Sequence, residues 1–164
     1  MPRLLPIALA AFLLLSCASL KRVDESTFRY GKSVLQLHRE NDSLHVVRHL
    51  RKGKIVDEWT IAHPCYRFDC GDLTGDGVPE ILVGPVKRTK YRADRGKRLF
   101  IFHLFRGKFI RPLWLGSRVG GPLVDFKVED GMVHTWEEGQ NGDTIQSLYK
   151  HGGFGLQFVK YLND

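Results

Sequence analysis

Most of the signatures by which enzymes are recognised are missing from these 164 residues. There is no Gly-x-Ser-x-Gly nucleophile elbow, no His-Glu-x-x-His zinc motif and no glycine-rich phosphate loop. The absence of a constellation that chemistry needs weighs against an enzyme. Past the N-terminal segment, no stretch keeps a 3.6-residue apolar period over three turns, which argues against helices. The longest apolar run, Leu4–Leu15, falls short of the ~20 residues a membrane-spanning helix needs. Cysteine is scarce and odd in number: with three, Cys17, Cys65 and Cys70, at least one must stay outside any internal pairing.

What is present describes one basic domain. At 43% hydrophobic and 26% charged, the composition suits a globular core. The formal charge of +7 favours anionic partners, among them phospholipid headgroups, acidic glycans and nucleic acid. The compartment selects among these, and the N-terminus indicates the compartment.

Arg3 followed by the short apolar run has the form of a secretory signal. The run ends in Leu14-Leu15-Ser16-Cys17. This resembles the bacterial lipobox, in which the Cys thiol takes a diacylglycerol before cleavage in front of it. The resemblance implies a signal peptide over residues 1–16, lipidation at Cys17, and a polar tether over residues 17–32. Several acyl chains on one residue anchor a protein stably where a single chain does not. An ordinary secretory signal cut near Ala18, with Cys17 incidental, is the alternative. Ala18 and Ser19 carry no acidic inner-membrane retention signal, so an outer-membrane lipoprotein is expected, facing the periplasm or the cell surface. That address disfavours nucleic acid. It also leaves Cys65 and Cys70 to form a disulfide in an oxidising space or to remain two thiols on one strand.

Residues 33–164 read as all-β. Val34–His38, Leu44–Leu50, Ile55–Ile61, Arg98–Phe105, Phe109–Leu115, Leu123–Glu129, Met132–Glu137, Thr144–Lys150 and Phe154–Leu162 are rich in β-branched and aromatic residues. Short turns separate them: Arg51-Lys52-Gly53-Lys54, Arg106-Gly107-Lys108, Asp130-Gly131 and His151-Gly152-Gly153. A degenerate repeat lays His49–Trp59 against Leu104–Trp114 and Leu148–Tyr161, each a strand, a turn and a strand ending near a large aromatic. The spacing of about 50 residues is that of one four-stranded propeller blade, which predicts antiparallel hairpins in about three degenerate propeller-like blades, an incomplete or irregular propeller.

The most specific internal motif is Gly71-Asp72-Leu73-Thr74-Gly75-Asp76-Gly77-Val78-Pro79-Glu80-Ile81-Leu82-Val83-Gly84. It is similar to the FG-GAP/VCBS family, the calcium-loop repeats of integrin-type β-propellers. The resemblance implies one structural Ca²⁺, held by Asp72, Thr74, Asp76 and Glu80 side chains and the Val78 carbonyl. Calcium takes six to eight oxygens at about 2.3–2.6 Å, and alternate residues of a tight loop can turn oxygens inward. Thr74 stands where an Asp or Asn is usual. A turn that keeps its shape without metal is the alternative.

Three further features remain. The stretch Lys87–Arg98 carries Lys87, Arg88, Lys90, Arg92, Arg95, Lys97 and Arg98 against one acid, and reads as a long exposed loop, either solvated or in contact with an acidic glycan or acidic protein face. His45 and His49 share a strand face but lie about 13 Å apart, too far to chelate one metal. Glu137, Glu138 and Asp143 surround Gly139–Gly142, a polar hairpin loop or a pair of carboxylates acting on a glycan. The expected function is a lipid-anchored, Ca²⁺-stabilised binding or scaffolding module, an accessory subunit of an outer-membrane complex with a protein partner. The alternative is a glycan-binding or glycan-active surface lipoprotein.

Overall fold

A computed structural model describes residues 19–89, 92–116 and 119–162, and among these every regular element is a β-strand. Residues 1–16 and Cys17 lie outside the described residues. The first sheet runs β1 (Leu20–Asp24), β2 (Thr27–Tyr30), β3 (Ser33–Asn41), β4 (Leu44–Arg51) and β5 (Lys54–Ile61), each strand pairing with the next. The central sheet has the order β10–β9–β7–β6, from β6 (Cys65–Gly71), β7 (Glu80–Thr89), β9 (Leu99–Phe105) and β10 (Phe109–Gly116). A short strand, β8 (Arg92–Lys97), pairs with the far half of β7. The third sheet runs β11 (Leu123–Glu129), β12 (Met132–Glu138), β13 (Thr144–His151) and β14 (Leu156–Tyr161). Among the described residues all pairings are antiparallel, and no sheet closes on itself.

The expected tether is in part a sheet edge. Residues 20–30 form β1 and β2, because Leu20 and Phe28 have apolar surface to bury against the first core. Strand composition outweighed the surrounding charges there.

The central sheet is the middle layer of the molecule. Successive side chains of a strand point to opposite faces, so a strand buried on both reads as a continuous apolar run. Ile81-Leu82-Val83 and Leu99-Phe100-Ile101-Phe102 are such runs. Ile81, Val83, Phe100 and Phe102 pack with Phe28, Leu35, Val47 and Trp59 of the first sheet. Leu82, Leu99 and Ile101 pack with Phe126, Val133 and Tyr149 of the third. Two cores thus share one sheet.

Buried polar groups fasten the layers. Asp69 on β6 accepts from Arg22 Nη2 of β1 at 2.8 Å through Oδ1, and from the Val128 amide of β11 at 2.9 Å through Oδ2, joining all three sheets. His49 on β4 donates Nδ1–H to the Lys108 carbonyl at 2.8 Å, which leaves Nε2 to accept from Ser33 Oγ at 2.9 Å. Asp57 on β5 accepts from the Ile110 amide of β10 at 2.8 Å.

The three hairpins laid against one another in the sequence are β4–β5, β9–β10 and β13–β14, the last two strands of each sheet. Lys52-Gly53, Arg106-Gly107 and Asp130-Gly131 take positive φ at both residues, the conformation of primed hairpin turns.

Candidate functional sites

Asp72, Thr74, Asp76 and Val78 lie in the loop between β6 and β7, and Glu80 opens β7. Gly75 and Gly77 sit at φ 76° and 80°, where a Cβ would be strained, and they turn the chain back on itself. Asp72 accepts the Gly75 amide at 2.7 Å and the Gly77 amide at 2.9 Å. Asp76 accepts the Val78 amide at 2.8 Å. Glu80, 2% exposed, reaches back to the Leu73 and Thr74 amides at 2.8 and 3.2 Å. Burial pushes the Glu80 carboxyl up to about 7, opposed by those two amides and reinforced by the Asp76 and Asp72 charges.

Hard carboxylate oxygens that keep spare lone pairs are the donor chemistry calcium takes, and a cation would offset the repulsion that Glu80 feels. The arrangement itself is centred on backbone amides. Among the described residues no three His, Cys, Asp or Glu groups are grouped as metal ligands. The Tyr30 hydroxyl donates to the Gly77 carbonyl at 2.8 Å and ties the loop to the first sheet.

A second site lies on the third sheet. Along β12, Val133, Thr135 and Glu137 are buried while the residues between them are half-buried, so alternation turns Glu137 inward. Its Oε1 accepts from Thr135 Oγ1 at 2.6 Å and from the Tyr149 hydroxyl at 2.9 Å, and its Oε2 accepts from the Gly121 amide. The Gly120 amide donates to the Tyr149 oxygen at 2.9 Å. Burial pushes the Tyr149 phenol up to about 12, and its bond to Glu137 adds to this. Around this group opens a cleft of about 480 Å³, walled by Ile145, Tyr149, Leu156, Phe158 and Tyr161. Phe158 and Tyr161, at 48% and 60% exposed, touch with ring centroids 4.8 Å apart and their planes inclined by 56°.

Of this cleft, the sequence pointed only to the Glu137 end. Thr135, Tyr149, Phe158 and Tyr161 come from three strands, and only strand pairing brings them together. The polar Thr135 and Glu137 at alternate positions beside Val133 were the available signal. Glu138 points the other way and is exposed, so Glu137 and Glu138 do not form a facing carboxylate pair. Asp143 belongs to the turn, where its carbonyl accepts the Gly139 amide at 2.8 Å.

The basic stretch is a β-ribbon rather than a loop. Arg88 and Arg95 are exposed on it. Lys97 is engaged, with Nζ 2.6 Å from the Val124 carbonyl and 4.7 Å from the Tyr66 ring centroid. Lys87 lies over the Phe100 ring. Arg98 is withdrawn from any surface role: it is 4% exposed, and its guanidinium donates to the Asp94 and Lys97 carbonyls. Lys90 lies outside the described residues, as does the side chain of Arg92.

The expected disulfide is absent, and Cys65 and Cys70 are both free thiols. They stand on the single strand β6, where five residues at about 3.3 Å each separate them by ~16 Å, far beyond disulfide reach. Burial pushes the Cys65 thiol up to about 12 and Cys70 well above its ordinary value, so neither is a reactive thiolate.

A comparison with protein-family models and with curated proteins finds no match to this chain.

Proposed function

We propose that this protein is a lipid-anchored extracytoplasmic binding module, held at the outer membrane through Cys17, whose ligand site is the cleft around Glu137 and Tyr149. The cleft carries this reading: a pocket with apolar and aromatic walls and a few converging polar groups is what small-ligand sites have in common. The role is binding or scaffolding, as part of an envelope complex. Three sheets in sequence, each ending in the same kind of hairpin, support a relation to propeller blades. The Asp72–Glu80 loop supports one structural Ca²⁺ of the FG-GAP kind.

A glycan is the second reading, favoured by Phe158 and Tyr161. Sugar C–H faces stack on aromatic rings, and a buried carboxylate with a spare lone pair accepts a hydroxyl. Titration of the purified protein with oligosaccharides tests this. Binding should weaken at least tenfold in Tyr161→Ala, with the melting temperature unchanged. Equal binding by wild type and Tyr161→Ala would remove the cleft as the site. Metabolic labelling with a palmitate analogue tests the anchor: label is expected in wild type and none in Cys17→Ala. For the metal, millimolar Ca²⁺ should raise the melting temperature of wild type and leave Asp76→Ala unmoved; no shift in wild type removes calcium from the reading.

A further inference from the structure

One end of the first sheet concentrates positive charge. The β2–β3 turn carries Lys32, the β4–β5 hairpin carries Arg51, Lys52 and Lys54, and the β9–β10 turn carries Arg106 and Lys108; all six are exposed. Register puts these turns side by side. Ser33 pairs with Arg51 across β3 and β4, and Arg51 Nη2 donates to the Gly107 carbonyl at 3.1 Å. The opposite turns of the same sheet carry Asp24, Glu25, Glu40 and Asp42 against Arg39, so the sheet is charged oppositely at its two ends. The adjoining Asp72–Glu80 loop has its carboxylates bonded to its own amides.

Two observations say what the basic end faces. Lys52 and Arg106 hold φ at 51° and 53°, where Asn, Asp or Gly would sit with less strain, and the β11–β12 turn has Asp130 at such a φ. Cations are kept at two strained positions. The chain also enters the fold here: Leu20 pairs with Tyr30, the residue before the β2–β3 turn. Cys17 lies three residues before Leu20, and an extended chain spans at most about 3.6 Å per residue, so a lipid on Cys17 would hold this end within ~11 Å of its point of attachment. Ile55 and Phe105, exposed beside Lys54 and Arg106, add apolar surface.

We propose that the Lys32, Lys52–Lys54 and Arg106–Lys108 turns form a docking surface for anionic phospholipid headgroups of the membrane that carries the chain. This deepens the lipoprotein reading and rests on it for orientation. Cations within about a Debye length of an anionic bilayer are attracted to it, and the attraction is screened by salt. Docking there fixes the tilt of the molecule and turns the rest of it away from the bilayer.

The test is co-sedimentation of the Cys17→Ala chain without its residues 1–16, which would otherwise insert into any bilayer, with phosphatidylglycerol vesicles and, separately, with phosphatidylcholine vesicles. Salt-sensitive binding to phosphatidylglycerol alone is expected. Adding Lys32→Gln, Lys52→Gln, Arg106→Gln and Lys108→Gln should weaken it by roughly 600-fold with an unchanged circular-dichroism spectrum, since each cation contributes roughly a fivefold factor. Arg88→Gln with Arg95→Gln, on the ribbon at the far end of β7, should leave it intact. No binding by the Cys17→Ala chain, equal binding to the two lipids, retention in the fourfold variant, or equal loss in the ribbon variant overturns the proposal. Palmitate labelling separates the two readings: label without charge-dependent binding leaves the anchor and removes the surface, and charge-dependent binding without label does the reverse.

Discussion

Asp69 is 3% exposed and accepts hydrogen bonds from two other sheets, so its removal strands Arg22 and the Val128 amide together. Breaking a buried, hydrogen-bonded ion pair from one side typically costs 3–5 kcal/mol; with the Arg22 side chain 43% exposed, about 3 kcal/mol is expected for Asp69→Ala by urea denaturation. His49 gives the fold a pH dependence. Desolvation holds its pKa below the ordinary 6.5, so the unfolded chain takes up a proton that the folded chain resists. The contribution is complete above pH 6.5 and is lost as pH falls through the folded value. Below 6.5 His49 therefore works to lower the melting temperature, against Glu80, whose carboxyl burial raises to about 7 and which gains stability on acidification. His49→Gln should raise the melting temperature relative to wild type at acid pH more than at about pH 8. Sequence periodicity placed both His45 and His49 on one face of a strand, and both are buried. It gave no sign that Asp69 would join three layers, because its partners lie 47 and 59 residues away.

At the scale of elements, turn chemistry was the most legible signal. Arg51–Lys54, Arg106–Lys108 and Asp130-Gly131 all close hairpins, because glycine at positive φ is required there and the flanking runs are rich in β-branched and aromatic residues. Lys52→Asn and Arg106→Asn should each raise stability by roughly 0.5–1 kcal/mol in denaturant, relieving the left-handed strain. If the basic end docks on headgroups, the same substitutions lower vesicle affinity, and a stability gain is then coupled to a binding loss. The N-terminal hairpin β1–β2 was illegible, since charges dominate Lys21–Glu25 and only Leu20 and Phe28 commit it to the core. The Lys87–Arg98 ribbon was likewise hidden: a basic sequence reads as solvated until Lys97 and Arg98 find carbonyls.

In the whole molecule, stability is concentrated in the central sheet, which each outer sheet covers on one face. Phe102 and Phe126 are fully buried, one in each core. Phe102→Ala and Phe126→Ala should each cost about 3–5 kcal/mol by denaturant unfolding, and comparable losses are expected from two cores sharing one sheet. Gly71 marks how closely the central and third sheets approach, because a Cβ there would run into Val128 Cγ1. Gly71→Ala should cost about 1–3 kcal/mol through overpacking, measurable in the same titration. The sequence by itself determined the all-β class, the hairpins and the turn of the Asp/Gly segment, because strand composition and turn residues act over a few neighbouring residues. Only the tertiary structure decided that the three sheets stack as layers, that Cys65 and Cys70 stay apart along one strand, that Glu137 meets Tyr149 in an aromatic cleft, and that six cations from three turns share one end. Those outcomes depend on which faces and which strand ends meet, and contacts between residues distant in the chain are set by packing rather than by local pattern.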